Sequence, residues 1–352
     1  MGGNFYFWGE HGVLLGVWVS LAISLNLING CAGLFSLGHQ GFWAVGAYAE
    51  ALLVPLATDG QAPGWGAYLL SFPVAMLAAA LFGLLVGLPC LRMRGDYLAI
   101  ATLGLSEIFR NLANNSELLG KAQGLQVHNV VRSMMLEWLG DVDRARRAEL
   151  WFYLLLSWGV AAVTLLLLRN VMKSGHGRAI QAIRDDETAA ELLGVNLTRY
   201  RVLVFVLGAA MAGLAGAVYA HFQRYVSPGQ FNFMQGVTLV IIVVLGGMGS
   251  FTGTILATIA IYLVPVLLTF ATGEWKLPVF YDPTQNDPLH GHWVYRSPKE
   301  LWQVIFALLL IVVILVRPKG LMGRAEWSLV EAWRRLFGGR GAPHAPGRGG
   351  GP

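Results

Sequence analysis

The chain has 352 residues, of which 55% are hydrophobic and only 13% charged, against about 25% charged in an ordinary soluble domain. With a mean hydropathy of +0.56 and the apolar residues gathered into long blocks, a soluble globular domain is excluded. A closed β-barrel is excluded too, since it would show short alternating segments. The net charge of +5 marks membrane orientation and does not point to nucleic acid.

In chain order, nine apolar runs predict spans at about 13–30, 36–56, 67–89, 97–114, 151–169, 202–221, 232–247, 251–270 and 301–316, the fifth and sixth near the length that crosses a bilayer. The expected fold class is therefore all-α: a polytopic integral membrane helix bundle of about nine spans (eight to ten). Residues 1–12 contain no Lys or Arg, so the first run reads as a retained span and not as a signal peptide. The fourth run carries Glu107 and Arg110, spaced to neutralise each other. The seventh is short and runs into Gly246, Gly247, Met248 and Gly249. That predicts a re-entrant or broken helix there, with glycines allowing a positive φ. Glycine is abundant within the spans, as in Gly83 and Gly87, which predicts close helix packing. Cys31 and Cys90 sit at the edges of apolar runs, in no metal or disulfide spacing.

Between the fifth and sixth runs lies the polar stretch 174–198. It cannot lie in lipid, so it is expected on one membrane face. As one helix from Gly177 to Gly194 it would place Ile180, Ile183, Glu187, Ala190 and Gly194 on one stripe, with Arg178, Gln181 and Asp185 opposite. A small apolar stripe with one carboxylate suits docking into a groove that offers a cation. The alternative is a solvated connector helix held by local charge pairs.

Polar residues at membrane depth are functional candidates by default. They include Asn26, Asn29, His39, Gln40, Tyr48, Thr102 and Glu107. The competing reading puts His39 and Gln40 in an exposed first turn behind a Ser36 cap. Only Glu107 reads as an intramembrane acid, which counts against a transporter driven by an ion gradient. No phosphate loop, HExxH, paired CxxC or GxSxG occurs, so catalysis by this chain is not expected. Lys and Arg concentrate around 92–94, 169–201 and the tail. The positive-inside rule then puts the N-terminus outside and the C-terminus in the cytoplasm. Residues 326–337 form an amphipathic face expected in the headgroup plane. The Gly/Pro/Arg-rich 338–352 is expected to be disordered.

Five blocks occur in order that together resemble the permeases of branched-chain amino-acid ABC transporters. They are Ser36–Phe42 with Gly46-Ala47-Tyr48; Gly95–Leu103; Gly177-Arg178-Ala179 through Ala189-Ala190 to Gly194; Val244–Gly249; and Arg317–Leu321. The length and the Arg184-Asp185 form are similar to the LivM-type subunit. The resemblance implies an ABC permease domain over 1–321, with 174–198 as its cytoplasmic coupling segment, and a cytoplasmic tail over 322–352. It implies half of the translocation path for hydrophobic amino acids across a bacterial inner membrane. The implied partners are a LivH-type permease, two ATPase subunits that use ATP and Mg, and an external solute-binding protein; no cofactor is bound by this chain. ATPase coupling would fall to Arg178, Ile183, Glu187, Ala189, Ala190 and Gly194. The chain departs from the general coupling pattern Glu-Ala-Ala-x3-Gly in that Thr188 precedes the alanine pair and Glu187 stands one place earlier. Urea and short-chain amide permeases share most of these blocks and stay open as an alternative, as does an ion-coupled amino-acid transporter.

Overall fold

A computed structural model describes residues 2–56, 65–90, 93, 95–127, 130–272, 277–279 and 294–296. Helix α1 (Gly2–Asn26) ends in a π-helical turn, Leu27–Cys31. Then come α2 (His39–Leu56), α3 (Trp65–Cys90), α4 (Asp96–Asn115), α5 (Val130–Leu139) and α6 (Val142–Lys173). A short pair, α7 (Gly175–Asp185) and α8 (Glu187–Leu192), leads into α9 (Leu197–Gln223), α10 (Phe233–Gly246) and α11 (Phe251–Thr272). Strand β1 (Leu125–Gln126) pairs antiparallel with β2 (Tyr225–Val226), as does β3 (Leu277–Val279) with β4 (Val294–Arg296).

The stretches Phe5–Cys31, Tyr68–Cys90, Val142–Lys173 and Leu197–Gln223 are each long and apolar enough to cross a membrane. The expected helical membrane bundle is therefore found. Its first helix starts well before residue 13, and the stretch between the fourth and fifth expected spans contains α5 and the first turns of α6. The expected span 301–316 and the tail 322–352 lie outside the described residues.

Helix α10 bears out the short, interrupted seventh element. Its 14 residues reach about 21 Å, less than the roughly 30 Å of a hydrocarbon core. The 3₁₀ turn before it, Pro228–Phe231, buries Pro228 and Phe231, with the Phe231 ring 4.9 Å from Trp43 and 6.1 Å from Tyr48 of α2.

Helix α9 is the axis of the molecule and packs against α1, α2, α3 and α6. Its central sequence, from Gly208 to Ala220, is mostly Gly and Ala and almost wholly buried. In lipid no hydrophobic force draws helices together, so their backbones must come close enough to gain dispersion contacts. Gly213 lies between α2 and α3: a Cβ there would stand 2.9 Å from the Ala75 carbonyl and would strike the Ala79 methyl, and Gly46 abuts its backbone. By contrast, α3 turns Leu70, Leu77, Leu81, Leu85 and Leu88 outward.

Gly213→Val is expected to lower stability by on the order of 3 kcal/mol through overpacking. Gly104→Leu, on an exposed face of α4 with nothing within 4 Å, should leave it nearly unchanged. Thermal unfolding of the two variants in detergent checks this, and equal losses would refute the packing account.

Candidate functional site

The π turn after α1 and the break between α10 and α11 meet. Between α10 and α11 the chain turns through Gly247 (φ 104°) and Gly249 (φ 91°), a region open to glycine and strained for other residues. This break leaves backbone groups without helical partners. Asn26, 224 residues away from Ser250, supplies them: its Nδ2 donates to the Ser250 carbonyl at 3.0 Å, and the Gly249 N–H donates to its Oδ1 at 2.9 Å. Directly after Asn26, α1 loosens into its π turn, and such turns mark functional sites in helices. The Gly30 carbonyl in that turn accepts from Arg184 Nη1 of α7 at 3.0 Å. The π turn, the α10–α11 break and the polar α7 thus form one joint.

A second polar network runs from this joint between α1, α2 and α4. Asn29 clamps the loop before α2, donating to the Ser36 carbonyl at 3.1 Å and accepting from the Ser36 N–H at 3.0 Å. Thr102 Oγ1 accepts from the Leu37 N–H at 3.2 Å. Gln40 donates to Ser106 Oγ at 2.9 Å, and His39 Nε2 lies 2.8 Å from Ser24 Oγ. Asn29, His39, Gln40 and Thr102, picked out one by one in the sequence, are brought together here and are all buried. The exposed, Ser36-capped first turn is therefore overturned: Ser36 is itself buried, and the Asn29 side chain holds this turn. Tyr48 lies farther along α2 with its ring 6.0 Å from Phe109. Glu107 is half-buried and pairs with Arg110 at 2.7 Å, as its spacing predicted.

The sequence reading missed an acid. Glu50 of α2 and His221 of α9 are both fully buried and pair directly, with the Tyr68 ring 4.5 Å from the imidazole. Glu107 is therefore not the sole acid at membrane depth. The signal was present, a glutamate in the middle of an apolar run, but its partner lay seven helices farther along the chain. Nearby, Glu149 of α6 is buried and pairs with Arg224 at 2.6 Å.

The polar stretch after α6 is two helices where one was expected. Asp186 ends α7 and caps α8, accepting from the N–H groups of Thr188 and Ala189 at 2.9 and 3.0 Å. Aspartate at this position satisfies orphan amide groups of a new helix, so Asp185-Asp186-Glu187 reads as a boundary. Gly194 (φ 81°) closes α8, with the Val195 N–H returning to the Ala190 carbonyl at 3.0 Å and the Gly194 N–H to Glu191 at 2.9 Å, a left-handed glycine cap. The break rotates the predicted stripe. Ile180, Ile183 and Ala190 are buried within the chain itself, the isoleucines facing Ala32, Tyr200 and Val204. Glu187 pairs with Arg201 of α9. Arg178, Ala189 and Gly194 are exposed. The exposed apolar tip is Leu192 and Leu193, at 83% and 82% exposure, a pair that the single-helix wheel did not single out.

The profile of the family described as branched-chain amino acid transport system / permease component matches residues 12–314. The chain is 36% identical over 262 residues to the high-affinity branched-chain amino acid transport system permease protein LivM of Salmonella typhimurium strain LT2, and equally to that of Escherichia coli K12; the match covers 69% of this chain. It spans 59% of the length of those relatives. Identity to the high-affinity branched-chain amino acid transport system permease protein LivH of Escherichia coli K12 is 25% over 321 residues, covering 90% of this chain and 94% of LivH. No solved structure matches the chain significantly.

Replacing Asn26 by Leu should lower thermal stability, by about 1–3 kcal/mol for each backbone group left buried and unpaired. Glu50→Ala should cost about 3–5 kcal/mol by leaving His221 without its partner, and Glu50→Leu with His221→Leu should recover much of that loss. A double variant as unstable as Glu50→Ala in detergent melts would show that the pair is not the coupled unit.

Proposed function

The chain belongs to the family of branched-chain amino acid transport system permease components, and on that premise we propose that it is the permease subunit of an ATP-driven importer. It forms half of the path for branched-chain amino acids across a bacterial inner membrane. A LivH-type permease supplies the other half, two ATPase subunits hydrolyse ATP with Mg, and an external binding protein delivers the solute. The amino terminus faces outward, and α7 and α8 lie in the cytoplasm. The similarity to relatives named as branched-chain amino acid permeases favours this substrate class over urea and amides.

One observation carries the mechanism: the exposed Leu192–Leu193 tip belongs to a segment tied through Arg184 to both helix interruptions. An ATPase surface that grips this tip, with Ala189 beside it and Arg178 on the adjoining exposed face, can shift α7 against the Gly30 carbonyl. Because Gly30 and Gly249 abut at the Asn26 clamp, that shift reaches α1, α10 and α11 together. Ile183, Glu187 and Ala190 then act by holding the tip to α9, and Gly194 by ending α8. The Asn29–Thr102–Gln40 network transmits the movement to α2 and α4, where Tyr48 and Glu107 stand. In transporters, broken helices of this kind line the substrate path.

Leu192→Asp with Leu193→Asp should abolish amino-acid uptake and substrate-stimulated ATP hydrolysis in the assembled complex, while the chain still inserts into the membrane. Normal uptake in that variant would sink the coupling assignment. Uptake that follows an imposed ion gradient in ATP-depleted vesicles would instead favour the secondary-transporter reading. For topology, single cysteines at Asn4 and Thr188 are expected to label oppositely with an impermeant maleimide in intact cells, with Asn4 reactive from outside.

A further inference from the structure

Beside the joint lies a cavity of about 290 Å³ whose charged lining is entirely cationic. Arg169 and Lys173 enter it from the last turns of α6, and Arg184 and Gln181 from α7; Gly249 and Phe251 of the α10–α11 break close it. Its volume is roughly ten times the ~30 Å³ share of one water molecule, so it can hold a polyatomic ion.

Three positive groups converging from two helices repel one another, and this is relieved by an anion in the space between them. Arg184 already spends Nη1 on the Gly30 carbonyl at 3.0 Å and reaches Asp185 at 3.4 Å. Arg169 and Lys173 have no acidic partner among the described residues. The Nε of Arg169 is buried with no hydrogen-bond acceptor, a condition that is expensive for a charged donor. A guanidinium fork, an ammonium and an amide around one space match the several acceptor oxygens of a phosphate group.

We propose that this cavity binds a phosphate group, held by Arg169, Lys173 and Gln181 against Arg184. The chemistry is shared by free inorganic phosphate and by the headgroup of an anionic phospholipid. Either would bridge the end of α6 to α7 beside the Gly249 break, and so stiffen the joint through which α7 is tied to the bundle.

The test uses the full-length chain in a zwitterionic detergent at fixed ionic strength. Inorganic phosphate titrated against chloride should raise the unfolding temperature saturably. That rise should be lost in Arg169→Gln with Lys173→Gln and kept in Arg199→Gln, an exposed cation away from the cavity. Lys173→Gln alone, at an exposed position, should weaken the apparent affinity about tenfold, the loss of one charge-assisted hydrogen bond. In a second arm, native mass spectrometry compares retention of phosphatidylglycerol and phosphatidylcholine. Selective retention of phosphatidylglycerol by the wild type, absent in the double variant, identifies the lipid as the source. A phosphate shift without such retention identifies the free ion. If neither ligand distinguishes the wild type from the double variant, or if Arg199→Gln loses as much as the double variant, the proposal is wrong.

Discussion

Asn26 answers, with one side chain, the backbone groups that the break between α10 and α11 leaves open. Inside a bilayer a chain that stops being helical has no water to turn to, and each unmet N–H or C=O is costly. The break can therefore exist only where another part of the chain meets it. Asn26 is placed to do so because α1 is α-helical up to that residue and relaxes into a π turn immediately afterwards. The exposed carbonyl of Gly30 in that turn then becomes the acceptor for Arg184. Two interruptions and a polar helix are consequences of one clamp.

The rest of the bundle keeps that clamp in register. The small residues of α9 let α1, α2 and α3 pack directly against it, and the Glu50–His221 pair ties α2 to α9 at membrane depth. A carboxyl and an imidazole are tolerated there because each gives the other a polar partner and aromatic rings enclose them. The tight packing and the buried pair act together: α9 cannot slide past α2 without separating the two.

The cytoplasmic placement proposed for α7 and α8 would give this rigidity a use. A short polar pair of helices, buried on its inner face and apolar at its tip, is poorly suited to stand alone but well suited to be pulled. The inner face reaches α9 through Ile180, Ile183 and the Glu187–Arg201 pair, so a force on the tip is delivered to the bundle and not dissipated in a loose loop.

The apolar blocks, the glycine-rich break and the polar stretch 174–198 were legible in the sequence by themselves, because span length, glycine and charge are local properties that a bilayer sorts directly. So was the Glu107–Arg110 pair, whose partners stand one turn apart. Asp186 could have been read as a helix start, since capping is also local, but the longer wheel obscured it. Only the tertiary structure decided that Asn26 reaches Ser250, that Glu50 meets His221, that Arg184 holds Gly30, and that Ile183 faces inward while Leu192 and Leu193 face out. Each of these depends on partners brought from distant segments by close helix packing, and one chain's periodicity holds no information about which face another helix will cover.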